Sequence, residues 1–245
     1  MNALILAAGR GTRLGLDPDR PKCLAQVGGA ALIDRYLDTL NELCVPVTIV
    51  VGHAAAAIRA HVAPRTTLPA LVTNNRFAEG SVVSLAAGLA ALCGDTRLVS
   101  GDVLIRDDVL ILDGDVAFTP TLLARLHAAP ATDALLVDVG AVFTDEQYMA
   151  GLQGSRVVAL RRGPADGHDA QGEWVGFAKL SASTASVLRD AVTRQLARGD
   201  SAGGYEDALA ALLDEVHFAC VPTDGASWAE IDFPADIVRA RELFG

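Results

Sequence analysis

A chain of 245 residues, 51% hydrophobic and 20% charged, has enough apolar surface to bury a sizeable core, which excludes intrinsic disorder as a description of the whole. Lys and Arg total 20 against 30 Asp and Glu, and the resulting net charge of −10 repels phosphate backbones and anionic lipid, so no nucleic acid is expected as a partner. The longest uncharged stretch, 43–58, has 16 residues and contains Pro46, Gly52 and His53, short of the roughly 18–20 apolar residues of a membrane span, so no membrane partner is expected either.

Residues 1–9 have no basic lead-in, and their apolar run stops at Gly9, so no secretory signal is expected and the default location is cytoplasmic. From there the pattern predicts a strand at 3–7 and a helix at 31–44 with Leu32, Ile33, Tyr36, Leu37, Leu40 and Leu43 on one face. A strand at 46–51, a helix at 54–62, a strand at 69–73 and a helix at 81–93 follow, then a strand at 109–112, a helix at 120–128 and a strand at 134–139. This alternation predicts an α/β, Rossmann-like doubly wound and mostly parallel sheet over at least 1–140. Beyond it, Val157–Leu160 and Glu173–Leu180 are expected to form an antiparallel pair lying across the sheet. Helices at 183–198 and 204–214, strands at 216–222 and 227–232 and a helix at 234–243 complete the reading. One domain, 1–245, is expected: a nucleotide-binding core at 1–140, a small antiparallel insertion lobe on the acceptor side at 141–215, and closing strands with a terminal helix at 216–245. Cys44, Cys93 and Cys220 lie in apolar runs and are expected in or near the core, and no cysteine pair has metal-site spacing.

Three clusters carry chemistry. The first strand runs into Leu6-Ala7-Ala8-Gly9-Arg10-Gly11-Thr12-Arg13-Leu14-Gly15, with Pro21-Lys22 behind it. Small residues there let backbone N–H groups approach an anion, and Arg13 and Lys22 add positive charge, which points to a phosphate site; the alternative is a glycine-rich turn. No Walker loop is present, and Leu14 stands where a dinucleotide fingerprint needs its third glycine. The second cluster, Asp113-Gly114-Asp115, ends an apolar strand, and at the carboxyl edge of a parallel sheet such acids face the ligand crevice; their hard oxygens suggest Mg²⁺, the alternative being an Asp that caps the next turn. In the third, Glu230 and Asp232 would share one face of a strand before Pro234, with an N-cap at Asp232 or Phe233 as the alternative.

Together these motifs, L-A-A-G-x-G-T-R-L with P-K, L-D-G-D and W-x-E-I-D, resemble the sugar-phosphate and alcohol-phosphate nucleotidyltransferases. The run from Glu173 to Leu180, the stretch from Tyr205 to Leu209 and the run from Trp228 to Asp232 look most like the bacterial cytidylyltransferases of phosphocholine and of phosphonates such as 2-aminoethylphosphonate. The stretch from Asn74 to Leu85 instead looks like that of the molybdopterin nucleotidyltransferases. What the resemblance implies is a Mg²⁺-dependent transfer of a nucleoside monophosphate, CTP favoured, to a small phosphate or phosphonate acceptor, with release of pyrophosphate. Lys22 and Arg13 would be catalytic; Leu6, Ala7, Ala8, Gly9, Gly11, Thr12, Arg13, Lys22, Gly80, Ser81, Ser84 and Asp113 would bind nucleotide. Asp115, Glu230 and Asp232 would hold the metal, and Asp138, Trp174, Glu206 and Trp228 the acceptor. Alternatives are a sugar-1-phosphate, inositol-phosphate or molybdopterin nucleotidyltransferase, and a nucleotide-binding regulatory module without chemistry.

Overall fold

A computed structural model describes residues 1–15, 20–93, 104–141 and 147–245. The first strand, β1 (Asn2–Ala7), opens into 3-10 turns at Thr12–Leu14 and Lys22–Leu24 and then a short ribbon, β2 (Gln26–Val27) with β3 (Ala30–Ala31). α1 (Leu32–Glu42), β4 (Val47–Val51), α2 (Ala55–Val62), β5 (Ala70–Thr73) and α3 (Ser81–Leu92) follow. After them come β6 (Val109–Asp113), β7 (Val116–Phe118), α4 (Pro120–Ala128) and β8 (Ala134–Asp138). The remainder holds β9 (Tyr148–Gln153), β10 (Arg156–Arg162), β11 (Ala170–Leu180), α5 (Ala182–Ala197), α6 (Tyr205–Ala210), β12 (Phe218–Pro222), β13 (Trp228–Glu230) and α7 (Pro234–Phe244).

The main sheet has the order β5-β4-β1-β6-β11-β8-β12-β10-β9. Among the described strands of this sheet only β10 and β11 run against the others, so it is mixed but mostly parallel in sense. Alternation along each strand feeds two apolar layers, as a sheet covered on both faces requires. Leu4, Val109, Ile111 and Leu135 meet α3, α5 and α6, while Ile5, Leu110, Leu112 and Leu136 meet α1, α2 and α4. A smaller cluster of Leu14, Val27, Leu32, Ala229, Ile231 and Ala240 seats α7 beside the β2–β3 ribbon. No helix among the described residues is long and apolar enough to cross a membrane.

Two expectations are corrected. Val157–Leu160 and Glu173–Leu180 do not pair with each other: β10 joins β12 and β9 at the sheet edge, while β11 runs antiparallel between β6 and β8 in its middle. The strand between them, β9, reads Tyr-Met-Ala-Gly-Leu-Gln and has no β-branched residue to announce it, yet both β10 and β11 bond to it. Cys44 is exposed rather than near-core, because the chain turns there with φ of 56° directly after α1; Cys93 is buried and Cys220 half-buried.

Candidate active site

The carboxyl ends of β1, β4 and β6 are tied to one another by backbone bonds just beyond the strands. The His53 N–H donates to the Ala8 carbonyl at 3.0 Å, and the Gly114 N–H to the Leu6 carbonyl at 3.0 Å. The glycine-rich loop therefore lies against the Asp113-Gly114-Asp115 turn, where an open α/β sheet places its ligands. A cleft of about 1040 Å³ opens at this edge.

Lys22 organises one end of the cleft. Its Nζ donates to Asp115 Oδ2 at 2.8 Å and also to Asp232 Oδ1, and Arg13 Nη2 reaches Asp232 Oδ2 at 2.8 Å. Burial disfavours the ammonium, but Asp115 and Asp232 outweigh it and hold the Lys22 pKa above its ordinary value. Oxygens of Asp115, Glu230 and Asp232 lie within 4.8 Å of one another. Burial, then the neighbouring Asp115 and Asp232, push the Glu230 carboxyl up to about 8. Of the alternative cap positions, the N-cap of α7 falls at Phe233 and not at Asp232. Asp236 caps α7, accepting from the Asp232 and Phe233 N–H groups at 2.9 and 2.7 Å, which frees the Asp232 carboxylate for Lys22 and Arg13. On a short strand ending at Glu230, Asp232 reaches the same point from the following loop and not from the strand face.

Asp113 faces the other end. Tyr205 Oη donates to its Oδ1 at 2.8 Å, and burial, then Asp115 and Glu206, raise its pKa. Opposite, β11 bulges between Trp174 and Ala178, and Gly176 in the bulge has φ of 84°; a Cβ there would sit 2.5 Å from Asp113 Oδ2. Ser81 Oγ accepts the Tyr205 N–H at 3.0 Å, linking the start of α3 to α6. Asn74 donates to Ser84 Oγ at 3.0 Å while its own Oδ1 takes the Arg76 N–H at 2.8 Å, so it both turns the chain and fixes a cleft serine.

Leu6, Ala7, Ala8, Gly9, Gly11, Thr12, Arg13, Lys22, Gly80, Ser81, Ser84, Asp113, Asp115, Glu230, Asp232, Trp174 and Glu206 all line the one cleft. Asp138 and Trp228 do not: Trp228 Nε1 donates to Asp138 Oδ2 at 2.8 Å, and Thr223 and the Gly140 N–H occupy Asp138 Oδ1. Their polar groups satisfy each other behind the wall, and Asp138 acts on the cleft only through its cross-strand partner Glu173. The residues that sequence reasoning left out are Arg10, Phe77, Gln147, Tyr148, Arg162, Tyr205 and Arg239, which reach the cleft from six different segments. Arg10, Phe77 and Tyr205 lie in stretches whose motifs the sequence singles out, and no local pattern marks the others.

Glu173 is 7% exposed, and burial, reinforced by Asp138 against a Gln147 hydrogen bond and Arg239, pushes its carboxyl up to about 7. Because the folded value lies above the ordinary 4.5, the folded state binds this proton more tightly; the contribution is fully present below about 4.5 and is lost as the pH rises through 7. Ionised Glu173 then costs on the order of 2 kcal/mol, so Glu173→Gln should raise the melting temperature by about 5 °C at pH 8 and leave it unchanged at pH 4.5. Scanning calorimetry of the ligand-free protein at the two pH values checks this, and equal shifts at both would contradict it.

A doubly covered sheet with a glycine loop after its first strand and acids at the carboxyl end of the neighbouring strand has the fold of the nucleotidyltransferases. The chain belongs to the MobA-like NTP transferase domain family, whose pattern matches residues 3–199. It is 28% identical over 99% of its length to the bifunctional IPC transferase and DIPP synthase of Rubrobacter xylanophilus, and 32% identical over 55% of its length to the CMP-5'-(3-aminopropyl)phosphonate synthase of Streptomyces rubellomurinus. It spans 52% of the first protein and 20% of the second. The solved CTP:phosphocholine cytidylyltransferase of Streptococcus pneumoniae (LicC) superposes with a TM-score of 0.75 at 19% identity, covering 100% of this chain and 99% of that one, which shows a shared fold.

Proposed function

We propose that the chain transfers a cytidylyl group from CTP to a small phosphate or phosphonate acceptor that carries an amine, with Mg²⁺ at the acidic end of the cleft. The observation that carries this reading is the joint placement of Arg13, Lys22 and the 8–12 loop beside Asp115, Glu230 and Asp232. The donor set suits Mg²⁺: three carboxylates supply hard oxygens, and Asp115 Oδ1 is buried without a hydrogen-bond partner. Asp115, Glu230 and Asp232 would hold the ion, which supplies charge neutralisation at the phosphate under attack.

The chain's own groups do the rest. Loop amides and Arg13 take the β and γ phosphates, and Lys22, with one N–H left after its two carboxylates, serves the α-phosphate. An acceptor oxygen that is already anionic forms the new bond to the α-phosphorus while the bond to pyrophosphate breaks, so no protein nucleophile is needed and positioning supplies most of the rate. At the far end, Glu206 and Glu173 offer carboxylates to an ammonium, with Trp174 beside them. The names of the phosphonate synthase and of the phosphocholine enzyme support this acceptor class. A hydroxyl-rich acceptor phosphate is the second reading, favoured by Arg162, Tyr148 and Gln147 in the same wall and by the IPC transferase that aligns over nearly the whole chain.

Pyrophosphate release, measured for four nucleoside triphosphates against phosphocholine, 2-aminoethylphosphonate, inositol 1-phosphate and glucose 1-phosphate, tests both. The expected result is the highest kcat/KM with CTP and an amine acceptor. Preference for a polyol or sugar phosphate would overturn the acceptor class and leave nucleotidyl transfer standing.

A further inference from the structure

α1 presents an apolar face of Ile33, Leu37 and Leu40 to the core, and in the middle of it stands Tyr36. Its side chain is fully buried, with the ring edge-on to Phe118 at 4.7 Å and to Phe177 at 5.8 Å. A phenol in such surroundings needs a partner for its hydroxyl. It finds one in the turn that joins β6 to β7. Tyr36 Oη accepts the Val116 N–H at 3.1 Å, and its single proton serves the carbonyls of Asp113 and of Val116, the latter at 3.0 Å.

Asp115 lies inside this turn, between the two residues that the hydroxyl grips. Two further anchors hold the same four residues: the Gly114 N–H on the Leu6 carbonyl, and the Ile231 N–H, which donates to the Asp115 carbonyl at 3.0 Å. The approach is so close that a Cβ on Gly114 would meet the Leu6 carbonyl oxygen at 2.8 Å. Of these anchors only Tyr36 is a side chain, and it does not line the cleft.

We propose that Tyr36 is a positioning residue for nucleotidyl transfer: its hydroxyl sets the backbone of 113–116 and thereby the direction in which Asp115 offers its carboxylate to the cation shared with Glu230 and Asp232. This rests on the reading that those three carboxylates bind a divalent cation. A ligand's orientation depends on what fixes its backbone, and loosening such support typically weakens metal binding by about 10–100-fold.

The test compares the wild type with Tyr36→Phe, which removes one oxygen, and with Phe177→Leu, which loosens the same ring cluster and keeps the hydroxyl. Mn²⁺ binding to the free proteins is read by electron paramagnetic resonance, beside kcat, KM and melting temperature. Tyr36→Phe is expected to weaken Mn²⁺ binding about tenfold and to lower kcat, with partial recovery at high Mn²⁺. Phe177→Leu is expected to melt earlier and to bind Mn²⁺ as the wild type does. Wild-type Mn²⁺ binding by folded Tyr36→Phe overturns the proposal, as does equal weakening in Phe177→Leu, which would assign the effect to packing. Should Tyr36→Phe fail to fold, p-aminophenylalanine at position 36, which keeps donors and loses most of the acceptor, reads the same quantity: weaker binding supports the role and unchanged binding overturns it. A wild-type protein that binds no Mn²⁺ overturns the underlying metal reading instead.

Discussion

Lys22→Ala should lower kcat by three orders of magnitude or more, about 4 kcal/mol of transition-state stabilisation, while the protein remains folded. The argument is geometric: Lys22 is the cation that touches both Asp115 and Asp232 and still faces the cleft, so no neighbour replaces it where charge develops. Of the three clustered acids Arg13 pairs with Asp232 alone, from a side chain that is 55% exposed. A second effect should run the opposite way. The Lys22 ammonium sits between two carboxylates that a cation would use, so without it Mn²⁺ should bind the nucleotide-free protein several-fold more tightly. Stability should fall by about 2 kcal/mol at pH 8, where three acids lose their shared partner, and by less near pH 5, where Glu230, with its value near 8, is protonated. Steady-state kinetics with a pyrophosphate assay, Mn²⁺ titration of the nucleotide-free protein and thermal melts at both pH values check the three in turn; near wild-type turnover would remove Lys22 from the chemistry.

Asp232→Asn should abolish metal-dependent turnover, a loss of at least a thousandfold, yet change the melting temperature of the metal-free protein little. Two ion pairs weaken, with Lys22 and with Arg13, but the repulsion among Asp115, Glu230 and Asp232 is relieved at the same time, and the opposing terms are each about 1 kcal/mol. The sign of the relief is visible at Glu230: with a neighbouring anion gone, its carboxyl should titrate below about 8. Carboxyl chemical shifts of glutamate-labelled protein across pH 5–9 measure this directly. Normal turnover of Asp232→Asn at limiting Mg²⁺ would reduce the residue to a surface group.

The parts of this architecture that were legible in the sequence are those written contiguously. The loop at 6–15, the Asp113-Gly114-Asp115 turn and the Trp228–Asp232 run each carry their residue types within a few positions, and the strands before them are short and apolar. The far wall of the cleft is written otherwise. Tyr148, Arg162 and Arg239 stand on β9, β10 and α7, and each looks like an ordinary surface residue until the sheet order brings them together. Trp228 misled for a related reason: alternation places a residue on a face, but only the tertiary partner, here Asp138, decides whether that face looks into the cleft or behind it. The pairing of β11 was hidden because its neighbours β6 and β8 are distant in sequence and β9 has no β-branched residue.

The β7–β13 ribbon has a consequence for when the protein becomes competent. These two strands form their own small sheet, apart from the nine-stranded one, and it is this ribbon that sets Glu230 and Asp232 opposite Lys22 and Asp115. Lys22 and Asp232 are separated by 210 residues, against 93 for Lys22 and Asp115. Closing the longer loop waits on the longer stretch of chain, so a nascent protein carries the glycine-rich loop and one of the three clustered carboxylates, Asp115, well before the other two exist. Ordering of the sheet and completion of the acidic cluster are thereby separated in time, and a ribosome-bound chain that ends before residue 228 holds the glycine-rich loop and Asp115 without Glu230 and Asp232.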